Sequence, residues 1–170
     1  DVCSSDLTWR DGFGISLGRY YEEIIETVKL ADTLGWARAL TTEHHFHYYG
    51  GAIPNPAVML AAWARETKNI RLAAGVSLIQ LRDPLKVAED YALVDQLSGG
   101  RVDMGVGRGF APHEFGAFNI DQADIAGRIA EGLEICSHFW AGKPFSYAGK
   151  YFCFDKLQPW PPTVNGGLPI

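Results

Sequence analysis

The sequence predicts an α/β fold, a parallel β-sheet covered by helices. Three observations predict it. Helical and strand-like hydrophobic periods alternate along the chain. Two helices start with a capping residue followed by proline, Asn55-Pro56 and Asp83-Pro84. The strand-like runs are short and built of apolar or small residues. Strands alternating with helices of this length make βαβ units, which require a parallel sheet.

The elements follow in order. Leu17, Tyr20, Ile24, Val28, Ala31 and Leu34 recur at helical spacing, and Gly35 provides a stop. Residues 36–42 read as a short buried strand. Asn55 as N-cap and Pro56 at the first helical position open a second helix. It carries Val58, Met59, Ala62 and Trp63 and is expected to end near Lys68-Asn69. Residues 70–78 form an apolar, small-residue strand interrupted by Gly75. Asp83-Pro84 repeats the helix start; Leu85, Ala88, Tyr91, Val94 (or Asp95) and Leu97 continue the periodic face, and Ser98-Gly99-Gly100 ends it. Val102, Met104 and Val106 alternate as a strand. A Gly- and Phe-rich loop then runs over 107–120, and Asp121 is expected to cap a helix through Ile125, Ile129, Leu133, Cys136 and Trp140. Residues 145–147 and 151–154, flanking Ala148-Gly149, read as a β-hairpin. Pro159, Pro161, Pro162 and Pro169 mark an extended connection, and the chain stops at Ile170 just where another apolar strand could begin.

Bulk properties narrow the function. A chain of 170 residues supports one domain with a sizeable core. Its formal charge of −5 and the lack of a Lys/Arg stripe argue against a nucleic-acid partner. No apolar stretch reaches the roughly 20 residues of a membrane span. The first residues lack the basic and apolar regions of a signal peptide. Cys3, Cys136 and Cys153, odd in number and widely spaced, suggest free thiols in a reducing compartment. The expected compartment is the cytoplasm.

Chemistry concentrates at Glu43-His44-His45-Phe46-His47, directly after the first predicted strand. Histidine changes charge near neutrality, so such a cluster suits proton transfer or metal binding. If extended geometry continues, His45 and His47 share one face and His44 points to the other. The first pair could hold a metal, as in barrel hydrolases. A neutral His oriented by a carboxylate could instead shuttle a proton. A metal site needs three or four ligands, and His113-Glu114 is the one nearby candidate pair, so the metal reading is the weaker. Gly105-Val106-Gly107-Arg108-Gly109-Phe110 ends a later strand. Its glycines allow close backbone approach, and Arg108 could pair with a phosphate. The spacing is not that of a dinucleotide fingerprint, and a tight strand exit with a solvated Arg is the plainer alternative. Ala73-Ala74-Gly75-Val76-Ser77 leaves room for a planar ligand, or is simply a tightly packed layer. Trp63, Tyr91 and Trp140 read as core.

Taken together, these residues resemble the bacterial luciferase family of flavin-dependent monooxygenases and related flavin oxidoreductases. The resemblance rests on Glu43-His44-His45-Phe46, Asn55-Pro56, Asp83-Pro84, Glu89-Asp90 with Leu93-Val94-Asp95-Gln96-Leu97-Ser98, and Gly99-Gly100-Arg101-Val102-Asp103-Met104-Gly105-Val106-Gly107-Arg108-Gly109-Phe110 followed by Glu114-Phe115 and Phe118. It covers the chain from about Leu17 onward. It implies a (β/α)8 TIM barrel, with sites at the carboxyl ends of the strands and about 250 residues when whole. The chain would then be a single incomplete domain over 1–170. It would hold the second to fourth strands and the first four helices, then the hairpin and the Pro-rich connection. Residues 1–9 carry no convincing strand pattern and are expected to be a leader.

The resemblance further implies roles. His44 matches the histidine that transfers protons near flavin or substrate, while Glu43 and His45 orient it or line the pocket. Arg108, between Gly107 and Gly109, matches the arginine on the flavin phosphate. Gly75-Val76 falls where relatives carry a non-prolyl cis peptide against the flavin ring, and Glu114, matching an acidic residue of the following loop, is expected among the cofactor-binding residues. Luciferases carry a reactive Cys where this chain has Gly107, so light emission is not implied. The implied chemistry uses reduced FMN and molecular oxygen to oxidise a small organic substrate. An NAD(P)H-dependent flavin reductase supplies the flavin, and the full-length form is a homodimer. A deazaflavin-dependent oxidoreductase, a metal-dependent barrel hydrolase and a non-catalytic luciferase-like subunit are the alternatives.

Overall fold

The computed structural model describes residues 2–3, 14–46 and 52–170. Helix α1 (Leu17–Thr33) starts where Ser16 accepts a hydrogen bond from Arg19 N at 3.1 Å and ends before Gly35, whose φ of +75° only glycine adopts readily. It buries Tyr20, Ile24, Val28 and Ala31; Leu17 and Leu34, at the ends of the same stripe, stay exposed. Strand β2 (Arg38–Thr41) follows, then α2 (Pro56–Glu66), capped by Asn55 Oδ1 accepting from Ala57 N at 3.1 Å. That helix stops short of Lys68-Asn69 because the Thr67 hydroxyl turns back to the Trp63 carbonyl at 2.7 Å. Val58 faces out, and Ala57, Met59, Leu60, Trp63 and Ala64 face in.

Strand β3 (Arg71–Ser77) leads through a 3-10 turn (Ile79–Leu81) into α3 (Pro84–Ser98). Asp83 caps α3 through Leu85 N at 2.8 Å and Lys86 N at 3.3 Å, and Gly99 closes it in the left-handed region. Val94 and Asp95 are both buried. Strand β4 (Val102–Val106) precedes a short helix, α4 (Pro112–Ala117), inside the stretch expected to be loop. Six residues are too few to show a period, and Pro112 at the first position with Phe115 buried beneath it holds the turn. The chain therefore carries five helices among the described residues, one more than expected. Helix α5 (Ile125–Trp140) begins later than predicted. Asp121 caps only the preceding turn, through Ala123 N at 2.9 Å, while Asp124 makes no cap because its carboxylate holds Lys150 and Tyr151 at 2.9 and 2.7 Å.

Strands β1–β4 form one parallel sheet in sequence order. The edge strand β1 is Val2–Cys3, paired with Ala39 and Leu40. This corrects the expectation that residues 1–9 hold no strand: two residues on an edge are too few for alternation to register, and pairing with β2 makes them a strand. Ala39, Leu72, Ala74, Val102 and Met104 point from the sheet into the core shared with the helices. On the other face Arg38 and Arg71 both pair with Asp103. The antiparallel hairpin β5 (Phe145–Ala148) and β6 (Cys153–Leu157) lies against α5, where Glu131 accepts from the backbone N–H groups of Lys150, Tyr151 and Phe152 at 2.7–3.1 Å. The Pro-rich segment, with a cis Trp160–Pro161 bond, is tied to α3 by Val164 N donating to Asp95 at 2.7 Å. Met104 N donates to Pro169 O at 2.9 Å, so the last residues lie along the open edge of β4.

Two charged side chains join the elements at the amino end of the sheet. Arg101 spans α2, α3 and the start of β3 through the carbonyls of Ser98, Ala64, Thr67 and Ile70 at 2.7–3.2 Å. Asp32, in the last turn of α1, accepts from Lys68, Asn69 and Ile70 N at 2.6–2.9 Å. Burial pushes the Asp32 carboxyl up, but these three donors and nearby Arg101 outweigh it and hold it below the usual carboxylate range. A lowered folded-state value stabilises the fold above the unfolded value of about 3.9, and that stabilisation is lost as pH falls through the folded value. Asp32→Asn is therefore expected to lower the urea midpoint at pH 6, with the gap to wild type closing as pH falls below about 4. A gap independent of pH would refute this.

Cys136 and Cys153 are free; burial pushes the Cys136 thiol up to about 12, so it sits in the core as a neutral group. No helix among the described residues is long and apolar enough to cross a membrane.

Candidate active site

The residues singled out for chemistry meet at the carboxyl ends of β2, β3 and β4. In a parallel sheet these ends share one edge, so the segments leaving neighbouring strands are adjacent in space although about 30 residues apart in sequence.

Glu43 leaves β2 with its side chain wholly buried. Oε2 accepts from Ser77 Oγ at 3.1 Å, Leu78 N at 2.9 Å and Arg82 Nη2 at 2.9 Å. Oε1 lies 3.0 Å from His45 Nε2. Arg82 also donates to Ser77 Oγ at 2.8 Å. The carboxylate is thus saturated, and it ties the end of β2 to the exit of β3. His45 is turned inward to Glu43, with its ring edge-on to Phe118 at 4.8 Å. Committed to Glu43, that ring nitrogen is not open to a metal. His47 lies outside the described residues, and no group of three His, Cys, Asp or Glu side chains within them could hold a metal ion.

His44 points the other way, as neighbours in extended chain do. Its side chain keeps 15% exposure against 8% for His45. Nδ1 lies 3.1 Å from Glu114 Oε1, and the ring is edge-on to Phe110 at 5.7 Å. Glu114, on α4, is buried and also accepts from His45 N at 2.8 Å. Both of these carboxylate contacts are with the histidine segment.

The Gly75–Val76 peptide is cis. A Cβ on Gly75 would stand 2.8 Å from Leu40 Cδ2, one on Gly105 would strike the Ala74 carbonyl, and one on Gly107 the Val76 side chain. Gly105 and Gly107 therefore let β4 close against the β3 exit, and Gly75 makes room for Leu40 of β2. Gly107 fits this packing as a Cys could not without displacing Val76. Gly109, at φ +71°, turns the chain between Leu78 and Phe115. The turn leaves Arg108 exposed, with its backbone carbonyl held by Gln80 Nε2 at 2.8 Å. Among the described residues the Arg108 guanidinium has no carboxylate partner. Phe110, two residues on, and Val76, which packs against Gly107, are both exposed, giving apolar surface near a cation.

Arg82 and Gln80 escaped the sequence reading. Each lies outside any motif spacing, and each acts through tertiary hydrogen bonds that primary structure does not announce: Arg82 to Glu43, and Gln80 with Arg108 and Arg128. Ser77 belonged to a run noted for small size, whereas its hydroxyl is what matters.

Residues 7–170 match the sequence profile described as luciferase-like monooxygenase. The chain is 38% identical to the monooxygenase RslO1 from Streptomyces bottropensis, with a TM-score of 0.88 over 91% of this chain and 47% of that one. It is 26% identical to the oxygenating constituent of 3,6-diketocamphane monooxygenase from Pseudomonas putida, a Type II Baeyer-Villiger monooxygenase in complex with FMN, with a TM-score of 0.86 over 99% of this chain and 49% of that one. It is 31% identical over 147 residues to the oxygenase component of the flavin-dependent trigonelline monooxygenase of Acinetobacter baylyi, covering 85% of this chain and 40% of the relative. The chain spans about half the length of the proteins it matches, and its parallel sheet with helical cover is part of their TIM barrel. From its profile match and its shared architecture, the chain belongs to the luciferase-like monooxygenase family.

Proposed function

We propose that this chain forms the N-terminal half of the barrel of a cytoplasmic monooxygenase that uses reduced FMN and molecular oxygen to oxidise a small organic substrate. A separate NAD(P)H-dependent reductase supplies the reduced flavin, and the full-length enzyme is a homodimer. The observation that carries the reading is the placement of His44, the cis Gly75–Val76 peptide and Arg108 on three adjacent strand ends. The resemblance to an oxygenase component and to an FMN complex supports it.

The residues present fit the cofactor. Arg108, exposed and unpaired by carboxylates among the described residues, suits a phosphate through its planar fork. Val76, exposed at the β3 exit where Gly107 packs against it, offers an apolar wall for a planar ring. When bound, reduced FMN supplies the electrons and activates oxygen. His44 holds or accepts a proton at a ring nitrogen. Glu43 keeps the β2 and β3 exits in register, and His45 locks the segment that carries His44. Phe110 shields the imidazole from water on one side.

Half a barrel provides only part of the pocket, so the 170-residue chain alone is expected to bind FMN more weakly than micromolar in a fluorescence titration. In the complete enzyme, anaerobic titration with reduced FMN and reduced riboflavin tests the phosphate contact. Arg108→Ala is expected to weaken FMN by about 10- to 100-fold and leave riboflavin unchanged. Equal loss for both ligands would remove Arg108 from the phosphate, and a complete enzyme that binds a reduced deazaflavin but not reduced FMN would sink the proposed activity.

A further inference from the structure

We infer that Glu114 is the positioning residue of His44, fixing the imidazole tautomer with its hydrogen on Nδ1 and its lone pair on Nε2. This rests on the reading of His44 as the proton-transfer residue. It moves Glu114 from the flavin, where the family resemblance puts it, to the histidine.

A single oxygen, Glu114 Oε1, meets two groups: His45 N at 2.8 Å and His44 Nδ1 at 3.1 Å. A backbone N–H can only donate, so Oε1 accepts from His45 N, and with the carboxyl ionised, or its hydrogen on Oε2, it is an acceptor toward His44 Nδ1 as well. An acceptor facing Nδ1 requires that Nδ1 carry the hydrogen. The neutral ring then keeps its lone pair on Nε2, and the direction in which His44 can take a proton is set. Glu43, ion-paired with Arg82 through Oε2, is likewise an acceptor. Glu43 Oε1 takes the Nε2 hydrogen of His45, and Glu114 takes the Nδ1 hydrogen of His44. Adjacent rings are thereby held in opposite tautomers by two buried carboxylates.

The carboxylate is itself well placed. Glu114 N donates to Ala111 O at 3.1 Å, and Phe115 is packed with Leu78, Leu81 and Ile125. Helix α4 thus presents Glu114 from a fixed turn. The second oxygen, Oε2, is buried with no hydrogen-bond partner among the described residues. An acid retained in such a place is poorly explained by solubility or by helix capping, and buried unpaired polar atoms are uncommon enough to point to a working role.

The test reads the tautomer directly. Protein labelled with 15N-histidine is titrated to the neutral ring and examined by long-range 1H–15N correlation, with His45 as an internal control. Wild-type His44 is expected to show the Nδ1–H pattern and His45 the Nε2–H pattern. Glu114→Ala should shift His44 away from the Nδ1–H pattern and leave His45 as it was. Glu114→Gln should keep Nδ1–H, because the amide oxygen still accepts. Wild-type His44 in the Nε2–H form, or an unchanged His44 in Glu114→Ala, overturns the inference. If the alanine variant does not fold, the wild-type tautomer decides alone. In the complete enzyme, Glu114→Ala is expected to lower kcat about 10-fold or more, with flavin affinity within twofold. A wild-type enzyme without oxygenase activity would refute the proposed function and leave the tautomer assignment standing; an Nε2–H ring at His44 would do the reverse.

Discussion

Replacing His44 with Ala in the complete enzyme is expected to lower turnover by about 100-fold or more, with reduced-FMN affinity little changed. The magnitude is that of removing a positioned general acid or base. The geometry explains why the loss should fall on turnover: His44 is half of a pair with Glu114, and it is the more exposed of the two adjacent imidazoles. His45→Ala makes the contrast. That ring is committed to Glu43 and packed on Phe118, so its removal should reduce stability and perturb the segment as a whole. Stopped-flow turnover and flavin titration on both variants separate the cases. Unchanged turnover in His44→Ala would take this residue out of the mechanism.

Glu43→Ala is expected to destabilise the fold by about 3–5 kcal/mol, because it leaves Arg82 as an uncompensated, mostly buried charge and removes the acceptor for Ser77 Oγ and Leu78 N. The midpoint of urea denaturation measures it. A paired replacement, Glu43→Met with Arg82→Met, should cost less than either single change, since no charge is then stranded. A single-variant loss below about 1 kcal/mol would show that the pair does little for the fold. Glu43 is thus expected to support the site and His44 to work in it.

Much of this was legible in the chain. Asn55-Pro56 and Asp83-Pro84 do at helix starts what capping chemistry requires, and Gly35 and Gly99 close helices with positive φ. The hydrophobic spacing of α1 located its buried face to within its two end residues. Errors arose where local signals were weak or redirected. Asp121 had the right residue type for a cap, but it caps only the turn before α5, and Asp124 at the helix start holds Lys150 and Tyr151 of the hairpin instead of capping. Helix α4 was too short to show a period, and β1 was too short to alternate.

At the site the division has a physical cause. Residue type and spacing determined that a histidine cluster, a glycine–arginine loop and a small-residue run sit at strand ends, because periodicity and capping are local properties of the chain. Only the tertiary structure decided what each does there. Which histidine is buried, which carboxylate serves it, and whether a glycine faces a neighbouring strand or open space all depend on groups far apart in sequence. His44 and Glu114 are 70 residues apart, and Glu43 and Arg82 are 39. A hydrogen bond of this kind leaves no period and no motif in the chain, and it exists only once the parallel sheet has brought the strand ends together.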